Sequence, residues 1–327
     1  MSIEPRSDSA GQGVRVVRVE PDRAGQRLDN FLLGQLKGAP RSLVYKLVRS
    51  GQVRVNGGRA KAERRLEAGD EVRIPPVRLA ESESAGPAPK GMLAAMESSV
   101  VFEDARLLAI NKPSGIASHG GSGVSFGVIE TLRALRPGQP LELVHRLDRD
   151  TSGLMVLAKK RSALTELQAL LREDHGAGIE KRYLALLLGR LPDGTLSVDA
   201  PLQVGLRQGG ERHVQVASSA KGGTGKPSLS HFKVIERIGG QSYCEVRIET
   251  GRTHQIRVHA RHLGHPVAGD DKYGDEAANK RLRDNAGLKR LFLHASTLSF
   301  ALDCGKSPYM LSAPLAPELS SVLDRLA

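Results

Sequence analysis

The chain has 327 residues, enough for two domains of ~150 residues each, and 39% of them are hydrophobic, which excludes a chain too polar to fold. Lysine and arginine number 48 against 36 for aspartate and glutamate, so the net charge is +12 and the pI is near 9.9. That balance predicts an anionic partner, which can be RNA, DNA or a membrane surface.

The cysteines and the hydropathy pattern constrain the compartment. Cys244 and Cys304 are the only cysteines, too few for a disulfide framework or a structural zinc site, and such sparse use is typical of the reducing cytoplasm. Residues 1–13 carry charges and glycines without an apolar centre, so they predict a disordered tail and not a signal peptide. Since no apolar run approaches the ~18 residues of a membrane span, we expect a cytoplasmic protein that does not enter a membrane.

Residues 14–76 are predicted to form a small basic domain. Two amphipathic helices are predicted in it, one starting near Arg27 and one over residues 41–50. Their apolar stripes are Leu28, Phe31, Leu32 and Leu36 in the first helix, and Leu43, Val44, Leu47 and Val48 in the second. Residues 52–57 alternate like a strand that closes on an Asn-Gly turn, and residues 71–74 predict a second strand.

Half of the excess positive charge lies in the first 75 residues, which hold 15 basic and 9 acidic side chains, a net of +6. The basic side chains placed to contact phosphates, on or beside the second helix and its strand, are Arg41, Lys46, Arg49, Arg54 and Arg59. The helix–helix–strand order, with RSLVYKLVRSGQVRVNG at its centre, resembles an S4 RNA-binding domain. This resemblance implies RNA binding, and a solvated charged face is the alternative.

Residues 77–97 are rich in proline, alanine, serine and glycine without a steady period, and they predict a flexible linker. Residues 98–327 form the second predicted domain. Its elements are strands at 100–102, 107–110 and 154–158, a helix at 161–172, strands at 183–188, 229–236 and 242–250, and a helix at 253–264. Residues 205–228 predict a mobile hairpin or loop. Many strands with few scattered helices indicate an α+β fold on a mostly antiparallel, mixed sheet.

Charged residues crowd onto a turn that precedes the apolar strand at 154–158. Within six residues the turn contains His145, Arg146, Asp148, Arg149 and Asp150. Such a turn beside a buried strand is typical of a rigid scaffold that presents a reactive loop, although a decorated surface turn has the same local pattern. Asp150 would point opposite to Asp148 in an extended segment, which argues against the facing carboxylates of a glycoside hydrolase.

Five sequence blocks of the second domain carry a family resemblance. HRLDRDTSG at 145–153 resembles the signature of the RluA-type family of RNA pseudouridine synthases. The other blocks, in the family's order around it, are NKPSG at 111–115, KRYLAL at 181–186, TGRTHQIRVH at 250–259 and RLFLHA at 290–295. The resemblance implies a pseudouridine synthase catalytic domain, whose reaction reattaches a uracil to its ribose through carbon and requires no cofactor and no metal.

The same resemblance implies roles for single residues. Asp148 stands where the family has its catalytic aspartate, Arg257 is expected to pair with it, and Tyr183 is expected to stack on the flipped uracil. Arg146 is expected to take the place that the flipped base leaves, and Leu293 to pack under the uracil. The structural alternatives are a surface or phosphate-binding arginine for Arg257 and a core tyrosine for Tyr183.

Two further patterns suggest other chemistry. Residues 222–226, GGTGK, look like part of a phosphate loop, but Pro227 follows where serine or threonine is required. The histidines that suggest a metal site are His254, His259, His262 and His265, yet no HExxH occurs and arginines interleave with them. The sequence therefore predicts neither an ATPase nor a metal centre.

The chain most resembles the family branch that acts on large-subunit (23S) ribosomal RNA. The resemblance lies in the order of an S4 module followed by this catalytic domain and in the amino-acid sequences of the five blocks. That resemblance implies 23S rRNA as the partner, free or in an assembly intermediate, and we expect a monomer. The alternatives are a sibling-branch synthase acting on another rRNA or tRNA stem-loop, and a non-catalytic S4-type ribosome-assembly protein. The joint presence of Asp148, Tyr183 and Arg257 argues against the non-catalytic protein, since a pure binder has no use for a carboxylate amid phosphates.

Overall fold

The computed structural model describes residues 13–36, 39, 41–77, 88–120, 126–172, 178–206, 212–217 and 225–327. The chain divides into two compact units, Met1–Gly86 and Pro87–Ala327. The domain limits inferred from composition, at residues 76 and 98, stay predictions, and residues 1–12 of the predicted tail lie outside the described residues. No helix in the described ranges is long and apolar enough to cross a membrane.

The first unit combines two helices with a small sheet. Helix α1 covers Leu28–Gln35 and α2 covers Arg41–Arg49. Strands β1 (Arg15–Arg18), β2 (Arg54–Val55) and β3 (Glu71–Ile74) pair antiparallel in the order β1-β3-β2. The apolar residues that predicted the two helices form the core: Leu28, Phe31, Leu32, Val44, Leu47 and Val48 are buried with Val72 and Ile74 of β3. The sequence periodicity therefore predicts both the helices and the side that each one buries.

The second unit contains twelve described strands. They are β4 (Val100–Glu103), β5 (Leu107–Lys112), β6 (Glu142–Leu143), β7 (Ser152–Ala158), β8 (Ile179–Leu187), β9 (Thr195–Asp199), β10 (Leu202–Leu206), β11 (Arg212–Val216), β12 (Leu229–Ile238), β13 (Gln241–Ile248), β14 (Leu293–Leu302) and β15 (Ser307–Ser312). Its described helices are α3 (Lys90–Glu97), α4 (Val128–Leu135), α5 (Arg161–Leu170), α6 (Gln255–His262), α7 (Glu276–Ala286) and α8 (Pro317–Leu326).

Ten of these strands form one sheet in the order β4-β5-β7-β14-β8-β13-β12-β9, with β15 paired to β14 and β6 to β7. Among the described pairings of this sheet, the one between β14 and β7 is parallel and the others are antiparallel. β10 and β11 form a separate antiparallel hairpin. The sheet confirms the predicted α+β class with a mostly antiparallel, mixed sheet.

The parallel contact between β7 and β14 depends on a glycine. Gly153 has a φ of +108°, and a β-carbon there would lie 2.2 Å from the carbonyl oxygen of Ala295. A larger residue would therefore push the two strands apart. Close pairing of these strands places Leu293, at the start of β14, beside the turn that carries Asp148 and leads into β7.

The stretch predicted as a linker contains a packed helix. Met96 of α3 is fully buried, and the Thr131 hydroxyl of α4 donates to the sulfur of Met92 at 3.2 Å. The prediction of a flexible linker over residues 77–97 is therefore wrong for residues 90–97, which form α3. Its small-residue composition obscured the apolar run MLAAM that packs on α4. Residues 78–87 lie outside the described part of the chain.

The predicted mobile hairpin at 205–228 overlaps the observed hairpin of β10 and β11. Residues 207–211 and 218–224 of that stretch lie outside the described residues.

The sequence patterns also miss three helices of the second unit, α4, α7 and α8.

Candidate active site

The turn between β6 and β7 presents Asp148 on a rigid backbone. The Asp148 side chain is 28% exposed, so its carboxylate is partly open to a ligand. The Ser118 hydroxyl donates to the Leu147 carbonyl at 2.8 Å and accepts from the Leu147 N–H at 3.1 Å. The Ser114 hydroxyl donates to the Asp150 carbonyl at 2.7 Å. The chain is therefore held on both sides of Asp148 by the segment that follows β5.

A buried lysine braces the same turn. Lys112 is fully buried, and its ammonium group donates to the carbonyls of Pro113, Ile116 and Arg149 at 2.8, 2.9 and 3.0 Å. Burial lowers the pKa of Lys112 to about 7, although two nearby aspartates raise it. Three carbonyl acceptors match the three donors of an ammonium group. Lys112 therefore has a supporting role and is not exposed to a substrate.

Arg257 on α6 lies between two carboxylates. Its Nη1 is 3.8 Å from Oδ2 of Asp148, an ion pair too long to be a hydrogen bond. Its Nε and Nη2 each donate to one oxygen of Asp270 at 2.7 Å, in the bidentate geometry that fits a guanidinium to a carboxylate. The structure brings Arg257 to Asp148, as the resemblance implies. The tighter partner, Asp270, was missed by the sequence patterns.

The Arg257–Asp270 pair keeps both of its charges. Burial lowers the pKa of Arg257, but the hydrogen bonds to Asp270 and the charges of Asp270 and Asp148 outweigh it and raise that pKa. Burial raises the pKa of Asp270, but Arg257 and the backbone N–H groups of Tyr273 and Lys272 hold it below its usual range. Arg257 is therefore anchored from behind and offers Nη1 to Asp148.

His254 approaches Asp148 from the start of α6. Its Nε2 is 3.9 Å from Oδ2 of Asp148, and its Nδ1 is 2.8 Å from the Tyr273 hydroxyl. Burial lowers the pKa of His254, although the charge of Asp148 raises it. His254 takes the N-cap position of α6 with a φ of +55°. A left-handed histidine is uncommon, and such conformations cluster at functional sites.

A pocket opens in front of the Asp148 carboxylate. Its apolar walls include Leu147, Ile248 and Leu293, and the half-buried Tyr183 of β8 forms another wall. Burial and the charge of Asp148 raise the pKa of Tyr183, so the ring stays a neutral phenol. A flat aromatic face and aliphatic walls beside one carboxylate suit a planar, uncharged ring such as a nucleobase.

Comparison with known proteins identifies the family. The RNA pseudouridylate synthase family matches residues 106–262 and the S4 domain family matches residues 26–72. The Ribosomal large subunit pseudouridine synthase C of Escherichia coli (strain K12) is 50% identical over 316 residues, which are 96% of this chain and 97% of that protein. This chain belongs to the RNA pseudouridine synthase family. The synthase of the same name from Pasteurella multocida is 48% identical over 317 residues, 96% of this chain and 94% of that protein.

A solved structure agrees with the assignment. Human RNA Pseudouridylate Synthase Domain Containing 1 superposes with a TM-score of 0.57 at 27% identity, covering 68% of this chain and 86% of that one. The family resemblance inferred from the five sequence blocks is thereby confirmed, and so is the S4 domain. As a pseudouridine synthase, the chain is an isomerase.

The five side chains expected at the pseudouridine synthase site meet in one pocket. It is lined by Asp148, Arg257, Tyr183, Arg146 and Leu293, together with His254. Arg146 is exposed and makes no side-chain hydrogen bond or ion pair with any described residue, so it is available to a ligand. Asp150 does not line this pocket, and its carboxylate pairs with Arg149 at 3.1 Å. Asp148 is therefore the carboxylate that faces the pocket.

The basic residues predicted in the S4 domain are placed for the most part at its surface. Lys46 and Arg49 are exposed on α2, and Arg54 is half-buried on β2. Arg41 begins α2, and its side chain lies outside the described residues. An exposed basic helix is the arrangement that phosphate binding requires.

The histidines that suggested a metal site do not converge. His259 lies between the Ser230 hydroxyl and the Ala200 carbonyl, 2.9 Å from each, and His265 faces the Leu188 carbonyl at 2.8 Å. Within the described residues, no group of three histidine, cysteine or acidic side chains could hold a metal ion. Residues 222–224 of the GGTGK run lie outside those residues.

Proposed function

We propose that this chain converts specific uridines of large-subunit (23S) ribosomal RNA into pseudouridine, with Asp148 as the catalytic carboxylate. The observation that carries the proposal is one partly open carboxylate at a pocket with apolar and aromatic walls, 3.8 Å from a buried arginine. The substrate follows from the relatives, whose names describe them as ribosomal large subunit synthases. The S4 domain supplies a separate RNA-binding module.

The proposed reaction is balanced within one nucleotide. The bond between N1 and C1′ breaks, the uracil turns over, and C5 bonds to C1′. C5 loses its proton and N1 gains one, so nothing is oxidised or hydrolysed overall and no cofactor is required. An ionised Asp148 can attack C1′, add to the uracil ring or remove the C2′ proton, and each route needs the same carboxylate beside the sugar.

The neighbours of Asp148 have distinct proposed roles. Arg257, anchored by Asp270, keeps Asp148 ionised and oriented, because a fixed cation stabilises the charged form of a nearby carboxylate. Tyr183 stacks on the uracil after the base has left the RNA helix, and Leu293 packs beneath it. Arg146, exposed at the rim, fills the place that the base vacates.

We also propose that the protein acts as a monomer in the cytoplasm and that its S4 domain anchors the RNA. The proposed phosphate contacts are Arg41, Lys46, Arg49 and Arg54. Half of the chain's net positive charge falls in the first 75 residues, which supports a polyanionic ligand at this domain.

The test is to incubate the protein with a 23S rRNA transcript and to map pseudouridines by carbodiimide modification and primer extension. We expect new modified sites with the wild-type protein and none with Asp148→Ala. Asp150→Ala is the matched control and should remain active, because Asp150 pairs with Arg149 outside the pocket.

Two results would overturn parts of the proposal. Normal conversion by Asp148→Ala would refute the catalytic role of that carboxylate. Pseudouridine formed in transfer RNA or small-subunit rRNA transcripts, but not in 23S rRNA, would refute the substrate and leave the site intact.

A further inference from the structure

A second cavity adjoins the pocket in front of Asp148, and we call it the side cavity. Its volume is about 260 Å³, close to the lower end of the ~300–1,000 Å³ typical of small-molecule pockets. The walls common to the pocket and the side cavity are Arg146, Tyr183, Ile248, Gly251 and Arg252. A group in the side cavity would therefore lie next to a uracil bound against Asp148.

The lining of the side cavity combines buried apolar side chains with cationic ones. Its apolar lining includes Val144, Leu154, Ala295 and Leu298, all buried. Its basic lining consists of Arg146, Lys181, Arg182 and Arg252, and no carboxylate is among the described residues that line it. A nucleotide matches such a lining, because the faces of its base are apolar and its phosphate is anionic.

Lys181 on β8 is a second cation of the side cavity that forms no ion pair with a described residue. It is buried, and within the described residues its Nζ makes one hydrogen bond, of 3.3 Å, to the Glu249 carbonyl. An ammonium group carries three donors, so donors remain for a ligand. Burial and the charge of Arg252 lower the pKa of Lys181 to about 8, although the charge of Glu249 raises it. An anion in the cavity would further offset the burial and the charge of Arg252.

The neighbouring arginines differ in how far their charges are matched. Arg182 donates to Glu180 and to Glu245, each at 2.6 Å, so its charge is already paired. Arg252 donates from Nε to the Pro227 carbonyl at 3.1 Å and forms no ion pair with any residue in the described ranges. Lys181 and Arg252 are close enough to repel each other, and they bring incompletely compensated positive charge to the side cavity.

We propose that the side cavity binds a second nucleotide of the RNA, a near neighbour of the target uridine. Its base packs on the apolar lining formed by Ala295 and Leu298, and its phosphate lies against Lys181 and Arg252. The proposal rests on the proposed function, since it assigns a subsite for the same RNA. A subsite of this kind would let the enzyme select a uridine by the nucleotide beside it.

The phosphate contact is tested by the salt dependence of RNA binding. The probe is the shortest 23S rRNA fragment that the wild-type protein binds, which requires no catalysis. Lys181→Met should weaken binding and reduce the slope of log K against log salt by about 0.7, the value for one single-strand phosphate contact. Lys181→Arg should retain the slope. Lys280→Met, an exposed lysine on α7, is the matched control and should change neither quantity.

The base contact is tested by filling the side cavity. Thr297 lines the side cavity but not the pocket of Asp148, so Thr297→Phe should exclude the second base without touching the catalytic carboxylate. The probes are RNAs that lack a single base at each of the two positions on either side of the target uridine. One of these RNAs should bind the wild-type protein about 10-fold more weakly, the scale of one lost base-stacking contact. Thr297→Phe should bind that RNA and the intact RNA equally.

An unchanged salt slope for Lys181→Met refutes the phosphate contact, and wild-type affinity for every abasic RNA refutes the base contact. Both results leave pseudouridine formation by the wild-type protein untouched, so they refute the subsite alone. If the wild-type protein forms no pseudouridine while Lys181→Met still lowers the slope, the proposed function fails and the RNA subsite stands.

Discussion

Substitution of Asp270 by asparagine should weaken both the fold and the reaction, through Arg257. The Asp270 carboxylate accepts from Nε and Nη2 of Arg257 at 2.7 Å each, and from the backbone N–H groups of Lys272 and Tyr273 at 2.9 Å each. An asparagine oxygen can replace one of the two carboxylate oxygens. Its NH₂ group would then face an arginine N–H, donor against donor, and the charge of Arg257 would lose its compensation.

The expected magnitude follows from the burial of the pair. The side chains of Arg257 and Asp270 are 7% and 0% exposed. Removing one member of a buried ion pair costs ~3–5 kcal/mol of unfolding free energy, because the other charge is left unpaired. For a domain of this size each 1 kcal/mol shifts Tm by ~2–4 °C, so the midpoint of Asp270→Asn should fall by roughly 6–20 °C. Turnover should fall ~100-fold, the typical effect of a misplaced catalytic contact.

Thermal unfolding followed by circular dichroism measures the stability, and single-turnover release of tritium from C5-labelled uridine in RNA measures the reaction. Arg257→Ala should still fold, with a Tm lowered because Asp270 is left unpaired, and should severely lower turnover. The control is the double variant Arg257→Met/Asp270→Leu, which leaves no unpaired buried charge and should be more stable than either Arg257→Met or Asp270→Leu alone. It should nevertheless be inactive, because Asp148 has lost its cation.

Three outcomes would contradict this reasoning. A wild-type Tm for Asp270→Asn would show that the pair does not stabilise the domain. A double variant less stable than both single variants would show that the cost does not come from an unpaired charge. A near-wild-type rate for Arg257→Ala would remove Arg257 from the site.

Three further predictions concern RNA binding, acid stability and strand packing. Lys46→Ala/Arg49→Ala should lower the slope of log K against log salt by ~0.9 for each lost phosphate contact, with unchanged turnover at saturating RNA. An unchanged slope would refute the phosphate contacts proposed for these two residues. Burial lowers the pKa of His145 from 6.5 to about 4, so the unfolded state takes up a proton first as the pH falls, and stability is lost between pH 6.5 and 4. This loss amounts to ~3 kcal/mol of unfolding free energy. Urea unfolding at pH 7 and at pH 4.5 should show the full loss in the wild-type protein and a smaller loss in His145→Gln. An equal loss in both proteins would show that His145 does not cause it. Gly153→Ala should destabilise the protein by well over ~1 kcal/mol in the same assay, because its β-carbon would meet β14 at 2.2 Å. The control is Gly194→Ala, because Gly194 has a φ of +94° but an added β-carbon there would have no atom within 4 Å. An equally large destabilisation of this control would show that backbone strain, and not the clash with β14, is responsible.

The elements that sequence patterns predict well are those with a strong local period. The apolar stripes of α1 and α2 recur at helical spacing, and the same residues form the core of the first unit. Helix α7, with the sequence EAANKRLRDNA, was missed because only Asn279, Leu282 and Ala286 of its residues are buried. Too few apolar residues then remain to produce a readable stripe. Helix α3 was missed because its small residues resemble a linker by composition.

Asp148 and the family could be recognised without a fold, because HRLDRDTSG is one continuous block in which chemistry and backbone turn are encoded together. The carboxylate that anchors Arg257 could not be recognised from the sequence. Asp270 follows Arg257 by 13 residues and lies beyond the end of α6, and no periodicity links it to Arg257. The side cavity likewise combines residues of β8 and β14 with the turn before β7. Ion pairs and cavities depend on distances through space, and only the close packing of the sheet against α6 brings these distant segments into contact.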